Sequence, residues 1–359
     1  MAELDIGKST YTDMTNLSNF DYSVDSVSLD TAQKDETIYT FPKARKYMGY
    51  YKTIPELKKA IDSLSIYVVG LGHNVKVGNV IDLDAIQDWG EGTFLNVLWN
   101  MQVLKKIHGD AFAEIIRDKS SNRLLNIKVL DTAQMAIICD KKGMIKRYEQ
   151  RTASKIIKYE PEEILHLSND RVGSEIHGVS VVQSCEWVIL ARNEALEDEK
   201  KIKHRELALG VMYVDTENDT KLAAAKSAYA NAVKNGEVLV LPEKTAKLEA
   251  PKGTASDRLA WIQYLEGFFY QAVGVNRTIA NGEGVGSEGA AKVGFLAFEP
   301  IYSWEQKQLE QDLWQQLGIR IEFNRPPSLR TEMQENEAKN TSQTSFQPKE
   351  TEYVNMERE

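Results

Sequence analysis

The chain has 359 residues, of which 42% are apolar and 27% charged, and its 44 basic and 53 acidic residues give a formal net charge of −9. This length allows two or three compact units with a sizeable core. The charge argues against a protein that grips phosphate backbones over its whole surface, because that affinity comes from basic residues. It leaves open a protein that surrounds nucleic acid without gripping it, since an acidic wall repels DNA.

Targeting, metal and catalytic signals are all weak in this sequence. No apolar run approaches the roughly 18 residues of a membrane span, and the first residues lack the pattern of a signal peptide, so we expect an intracellular protein. Cys139 and Cys185 lie in apolar periodic segments, which predicts buried free thiols. The five histidines form no metal-binding pattern, and Ser180 and Ser287 lack the flanks of a catalytic nucleophile. We expect no metal, no cofactor and no catalytic site.

The N-terminal half predicts an α+β unit. Residues 1–38 are polar and without a period, which predicts a flexible arm. Apolar spacing predicts helices over 54–65 and 94–107, the second capped by Gly109, with strand-like runs at 67–69 and 75–83 between them. A series of short strands then follows at 111–118, 125–131, 135–140, 144–151, 155–160 and 163–168. Two helices followed by such a series indicate an α+β domain.

A long helix is predicted over residues 179–207, which contain no glycine or proline. At 1.5 Å per residue it would be about 45 Å long, too long for a small domain. Its second half, 192–206, mixes basic and acidic side chains. Two interpretations stay open: a solvated helix with many ion pairs, or a strut whose charged faces meet copies of itself around a ring.

The C-terminal half begins with a small unit over 209–254, with strands at 211–215 and 237–242, a helix at 219–235 and a polar stretch at 246–253. A unit of this size gains stability by packing on a neighbour. A second long helix at 257–273 follows. The next helix, 290–317, carries Pro300, which predicts a kink or an interruption. A last strand is predicted at 319–323, and the polar end of the chain, 324–359, is predicted to be a flexible tail.

The glycine run around Gly284, Gly286 and Gly289 spells G-x-G-x-x-G, the pattern of a dinucleotide site. Such a site needs a strand before the glycines, whereas 257–273 has helical spacing. The run therefore predicts a loop between two helices. A similar run at Gly70 and Gly72 has a strand-like stretch before it but lacks the third glycine. The rival function, a nucleotide-binding oxidoreductase that uses one of these runs, is kept as an alternative.

Short motifs lie at 108–118, at Asp131, and at 143–148, 161–167, 177–180, 236–241, 274–276, 299–301 and 304–305. In their order, and in the order of the predicted elements, the sequence resembles the portal proteins of tailed double-stranded DNA viruses over roughly 290 residues. Single motifs are weak, and their order and spacing carry the resemblance. The prolines that such proteins often have near Ser180 and Asn276 are missing, and the region after 317 is short for a full crown.

The resemblance implies a fold and a set of roles. It implies an α/β wing (39–178), two stem helices (179–208 and 255–275), a small α/β clip (209–254), a tunnel loop (276–291) and a C-terminal wing or crown segment (292–323). About twelve copies would form a ring around double-stranded DNA at the capsid vertex of a virion, after assembly in the host cytoplasm. The major capsid protein, the terminase and a head-tail adaptor are the other implied partners. A different ring or adaptor protein of the virion is a third interpretation.

The tunnel loop is the implied DNA-facing segment of this non-enzymatic protein. Its glycines permit backbone shifts as DNA passes, and its slight acidity keeps DNA from sticking. The implied channel residues are Arg277, Asn281, Gly282, Glu283, Gly284, Gly286, Ser287, Glu288 and Lys292.

Overall fold

The structure is a computed structural model, and it describes residues 36–152, 155–206, 211–214, 218–235, 246–249, 256–282 and 288–326. The predicted flexible tail lies outside these ranges from residue 327 onward, and the predicted arm does so up to residue 35. Over the described ranges, no helix combines the length and the apolar composition that a bilayer crossing requires. In the same ranges, no three His, Cys, Asp or Glu side chains are grouped as metal ligands.

The ordered body starts earlier than the sequence pattern predicts. Strand β1 (Thr37–Thr40) overlaps the end of the predicted arm, and helix α1 (Ala44–Thr53) follows it. Both were missed because they are short and bury few side chains: α1 buries only Ala44, Tyr47 and Tyr51. Strand β1 is held by its pairing with the strand at Met135–Cys139, which places Ile38 opposite Ile138. Tertiary pairing thus orders a segment that has little apolar signal of its own.

Helix α2 (Pro55–Val69) is longer than predicted, and the expected strand at 67–69 is wrong. Val68 continues the helical spacing of Leu57, Ile61 and Leu64, and all four are buried. Strand β2 (His73–Val77) does form, but the predicted strand over 75–83 ends early, in helix α3 (Val80–Asp84). The Asn79 side chain caps α3 by accepting a hydrogen bond from the Ile81 N–H. That cap favours a helix at this point.

The predicted helix and strand series of the N-terminal half is confirmed. Helix α4 (Phe94–His108) ends at Gly109, whose φ of 88° is left-handed. The strands are β3 (Asp110–Arg117), β4 (Leu124–Leu130), β5 (Met135–Cys139), β6 (Ile145–Arg151), β7 (Ile156–Tyr159) and β8 (Ile164–Ser168). They form two antiparallel sheets, with strand orders β4-β3-β8 and β1-β5-β6-β7. The unit is α+β, as predicted.

The first long helix is divided into α5 (Val181–Ser184) and α6 (Glu186–Glu206), with Cys185 between them. The second is α8 (Ser256–Val273), which packs against α6. Between them lie β9 (Val211–Val214), α7 (Asp219–Asn235) and β10 (Ala246–Glu249). Strand β10 pairs with β9 and lies in the polar stretch 246–253, for which the sequence pattern predicted no strand. The strand predicted at 237–242 lies outside the described residues.

The C-terminal elements are α9 (Arg277–Asn281), α10 (Glu288–Leu317) and β11 (Arg320–Phe323), which pairs with β2. Helix α10 continues through Pro300, so the predicted interruption is wrong. Pro300 is exposed, and the carbonyl that loses its helical hydrogen bond there can be solvated. The main core lies between α2, α4, α8 and α10, with Leu64, Leu98, Phe269 and Tyr302 at its centre.

Candidate functional site

The predicted tunnel loop is mostly helical where the structure describes it. Helix α9 begins one residue after Asn276, whose side chain accepts a hydrogen bond from the Thr278 N–H at 3.1 Å. It ends at Gly282, which has a left-handed φ of 70°. Because α10 starts at Glu288, the loop predicted over 276–291 narrows to the connection between these two helices. This is a correction of its length, since a five-residue helix is too short to recognise by periodicity.

The predicted channel residues that the structure describes lie on α9, at its cap and near the start of α10. Arg277 and Asn281 are the first and last residues of α9, and Gly282 is its cap. Glu288 is the first residue of α10, and Lys292 lies one turn further along. The other four predicted residues, Glu283, Gly284, Gly286 and Ser287, lie outside the described part of the chain.

Two close approaches fix how α9 sits against its neighbours. Gly274, with a φ of 79°, ends α8, and a Cβ there would lie 3.3 Å from the Ile301 side chain of α10. A Cβ on Gly294 of α10 would lie 2.6 Å from Asn276 Nδ2. The two glycines therefore allow α10 to pass close to both ends of the turn that leads into α9.

A chain of alternating charges connects α9 to the rest of the helical core. Arg192 of α6 lies 2.8 Å from Glu56 of α2 and 3.8 Å from Glu266 of α8. Arg277 lies 3.8 Å from the other oxygen of Glu266. Arg192 is almost fully buried, so these pairs are less screened by solvent than surface pairs. These ion pairs thus connect the first residue of α9 to α8 directly, and through it to α6 and α2.

A second cluster, which the sequence analysis missed, lies in the core between α4 and α10. Glu305 accepts hydrogen bonds from Gln102 Nε2 at 2.9 Å, from Lys105 Nζ at 3.0 Å and from Lys106 Nζ at 2.7 Å. Burial by itself would raise the pKa of Glu305, but the two ammonium groups outweigh it and lower the pKa to about 2. Lys106 also donates to Asn169 Oδ1. A signal existed in the sequence: both lysines interrupt the face that α4 turns toward the core.

The cluster continues at Asp110, the first residue of β3. Its carboxylate lies 2.8 Å from His166 Nε2 and 3.3 Å from His177 Nδ1, and it accepts the Gly178 N–H at 3.0 Å. Burial opposes ionisation, but these hydrogen bonds hold the pKa of Asp110 well below its usual range. Since an ionised carboxylate only accepts, both imidazole nitrogens donate to it. Asp110 therefore ties the end of α4 to the loop before α5.

The motifs 108–110 and 177–179, which are separate in sequence, meet at this point. A Cβ on Gly109 would lie 2.1 Å from the Gly178 carbonyl oxygen, and a Cβ on Gly178 would lie 2.2 Å from that of Gly109. Asn169 connects both segments, because its N–H donates to the Gly109 carbonyl and its side chain donates to that of Val179. Such a backbone contact requires glycine on both sides.

A cavity of about 300 Å³ opens beside this contact, lined by residues that include Tyr39, Phe41, His108 and His177. Burial lowers the pKa of His108 to about 4, despite the opposing effect of Asp131 and Asp110. An imidazole held by a carboxylate also occurs in general bases. Here the carboxylate is shared by two histidines and a backbone N–H, and all three connect separate chain segments. We interpret the arrangement as a structural one.

Comparison with solved structures identifies the fold. Two matches are chains from the neck of a gene transfer agent particle, empty (C6 symmetry) and native (C12 symmetry). Each has a TM-score of 0.64 and 13% sequence identity, and they cover 85% and 86% of this chain and 91% and 92% of their own length. A third is an HK97 family phage portal protein from Corynebacterium diphtheriae, with a TM-score of 0.53 and 13% identity over 77% of this chain and 94% of that one.

At this level of identity the likeness concerns the fold, and the chain has the portal fold. The resemblance drawn from the sequence motifs is confirmed to that extent. No protein-family model matches the sequence, and no curated protein is similar to it at a significant level.

Proposed function

We propose that this chain is a portal protein: a subunit of a ring in the virion of a tailed double-stranded DNA virus, or of a related particle, through which DNA passes. One observation carries the proposal. The chain shares its fold, over most of both lengths, with neck chains of a gene transfer agent and with a phage portal protein. Cyclic symmetry of the neck particles supports a homo-oligomeric ring.

The element order supports the division into functional parts. In this proposal, residues 39–178 form the wing, α6 and α8 belong to the stem, and the small unit of β9, α7 and β10 is the clip. A clip between two packed long helices favours a portal over the third interpretation, a different ring or adaptor protein, which has no need of that arrangement. The segment 292–323 returns to the wing, because β11 pairs with β2.

The segment between α8 and α10 is proposed to line the DNA channel. Arg277, the basic residue of α9, lies beside Glu266, so part of its charge is neutralised. Glu283 and Glu288 then leave the segment acidic. Repeated around a ring, such a segment repels the DNA backbone and keeps the duplex mobile. The charge chain through Arg192 and Glu266 supports the segment from behind.

The proposed ring is a passive channel. A separate motor, the terminase, supplies the energy of packaging and docks on the clip, residues 209–254, and a head-tail adaptor replaces it after packaging. The wing contacts the major capsid protein. These roles follow from the portal proposal, and binding of the terminase, the adaptor and the major capsid protein can each be tested separately.

Single-particle electron microscopy of the purified full-length chain is the first experiment. We expect rings of about twelve copies with an axial hole wide enough for a duplex. A compact monomer or dimer that also gains thermal stability with NAD or ATP, in a saturable way, would instead support the rival oxidoreductase function.

Deletion of residues 282–289 tests the channel segment. Because α9 keeps all five of its residues and α10 loses only its first two, we expect rings to form as in the unchanged protein, while DNA retention or packaging is impaired. A deletion that abolishes the ring would assign the segment a structural role. Replacement of 282–289 by a Gly-Ser linker of equal length is the matched control for connectivity, and it should retain rings.

A further inference from the structure

Four aromatic rings on α6 and α8 pack on one another at the surface of the chain. Trp187 of α6 lies edge-on to Phe268 of α8, with ring centroids 5.4 Å apart. Phe268 in turn lies 5.0 Å from Tyr264, and Tyr264 lies 5.7 Å from Trp261. Trp187, Trp261 and Tyr264 remain 38%, 41% and 59% exposed. Leu190, exposed one turn after Trp187 on α6, extends this group, and these five residues are here called the aromatic face.

Packing within the chain covers only part of the aromatic face: Phe268 packs against the main core, whereas Trp187, Trp261 and Tyr264 stay exposed. Helix α8 turns Ile262, Leu265 and Phe269 into the core. Trp261, Tyr264 and Phe268 each precede one of these residues, so their rings lie on the adjacent side of the helix, about 100° away. Exposed aromatic and leucine side chains in one contiguous patch are typical of a surface that another protein covers.

A second exposed apolar surface runs along α10. Val293, Ala297, Pro300 and Trp304 are all exposed and follow one another at spacings of four, three and four residues, so they share one side of the helix. Val293 is 64% exposed and Trp304 59%. These four residues are here called the α10 stripe.

The opposite side of α10 is buried. Phe298 and Tyr302 pack there against Tyr67 of α2, with ring centroids 5.0 and 5.7 Å away. The α10 stripe therefore faces away from α2, and the aromatic face lies on a helix that also packs against α2. Two different apolar surfaces thus point outward from helices that flank the same central helix.

Charges beside the two surfaces are complementary. Exposed Glu194 and Glu197 lie one and two turns beyond Leu190 on α6. Exposed Lys307 follows Trp304 by one turn on α10. Opposite charges at the rim of an apolar contact fix its register and orientation.

We propose that the aromatic face of one copy binds the α10 stripe of the next copy. The inference rests on the proposed function, because it names the contact by which the ring closes. Two unlike patches on one chain produce head-to-tail association, which closes into a ring when the rotation between copies allows it. The contact extends the core of each subunit into its neighbour, with Trp187, Tyr264 and Trp304 as the central side chains.

Disulfide crosslinking tests the contact directly. The native thiols, Cys139 and Cys185, are buried, and burial raises the pKa of both, that of Cys185 to about 11. They therefore contribute little background reaction. The variant that combines Tyr264→Cys with Trp304→Cys is expected to give, after mild oxidation, a series of covalent oligomers on a non-reducing gel. Each single variant is expected to stay monomeric on that gel.

Two results would overturn the proposal. One is the absence of covalent oligomers from the double variant in samples that contain rings. The other is a covalent dimer from Tyr264→Cys alone, which would mean that two aromatic faces meet each other in a symmetric pair.

Charge insertion gives an independent measurement. Tyr264→Glu or Trp304→Glu is expected to lower the fraction of protein in rings by at least about tenfold, because either change buries a carboxylate in the contact. Met144→Glu is the matched control, since Met144 is 67% exposed and lies on the turn between β5 and β6. Rings that persist in both Tyr264→Glu and Trp304→Glu would contradict the proposal. If the unchanged chain forms no ring at all, it is the portal function that fails.

Discussion

The unit around α4 and the helical pair α6–α8 distribute polarity in opposite ways. At the end of α4, two lysines, a glutamate and an aspartate are buried and hydrogen-bonded to one another or to histidines. On α6 and α8, tryptophan and tyrosine rings are exposed. The first region satisfies its polar groups within one chain and is complete as a monomer. The second leaves apolar area in water, which a partner subunit can remove.

The largest effect is expected from a change in the buried charge cluster. Glu305→Gln leaves Lys105 and Lys106 buried without an opposing charge. Removing one partner of a buried ion pair destabilises by roughly 3–5 kcal/mol. We expect a loss of that order in the free energy of unfolding, measured by urea denaturation of the monomer.

Glu322→Gln is the control for that change. Glu322 pairs with Lys76 across β11 and β2, and both side chains are more than half exposed. Removal of the Glu322 charge should barely change the urea concentration at the unfolding midpoint. Equal shifts for the two variants would show that the buried cluster contributes no more than a surface pair.

The contact of Gly109 with Gly178 gives the next effect. Gly109→Ala places a Cβ against a backbone oxygen and in a left-handed conformation, so we expect a loss of about 3 kcal/mol or more. Gly143→Ala is the matched control: Gly143 has a similar φ of 77° but no atom within 4 Å of the added Cβ. Gly143→Ala should lower the free energy of unfolding by only about 1 kcal/mol, which is the cost of the left-handed conformation alone. Similar thermal shifts for both variants would argue against a tight contact.

The buried imidazole of His108 predicts a pH dependence. Its folded pKa of about 4 lies below the unfolded value of about 6.5. Between these values the unfolded chain binds a proton that the folded chain refuses, so the free energy of unfolding falls as the pH falls from 6.5 to 4. In His108→Gln this slope should decrease by about one proton per chain. Identical slopes in wild type and variant would mean that the pKa of His108 is the same in the folded and the unfolded chain.

The smallest effect concerns the candidate channel segment. Asn276→Ala removes the cap of α9, worth about 1 kcal/mol, and hydrogen exchange of the amides at 278–282 should become faster without a shift of the main unfolding transition. Asn79→Ala, which removes the equivalent cap of α3, is the control and should leave exchange at 278–282 unchanged. A shift of the whole transition in Asn276→Ala would mean that α9 is part of the core.

Local patterns predicted those elements whose own side chains determine them. The helix ending at Gly109 and the six strands after it have clear periods and turn residues, and all of them form. Strand β1 and helix α1 were missed, because their order comes from pairing with β5 and from packing on α2 and α4. The stretch at 67–69 contains β-branched residues but is helical, since burial of Val68 and Val69 against the core outweighs propensity.

The candidate site divides in the same way. The sequence predicted a glycine-rich loop between the helices at 257–273 and 290–317 but missed the short helix α9 that lies between them. It could not predict that Lys106, Asp110, Glu305 and His177 converge, because no spacing rule connects residues on separate elements. Nor could it indicate that the rings of Trp187 and Tyr264 lie on one surface.

The sequence by itself indicated the class of the protein: an α+β unit, two long helices around a small unit, a net negative charge and a set of ordered motifs that resemble portal proteins. Only the tertiary structure decided which charges are buried together and which aromatic side chains are left exposed. The reason is physical. Periodicity and turn chemistry act between neighbours along the chain, whereas burial and pairing act between side chains that folding alone brings together.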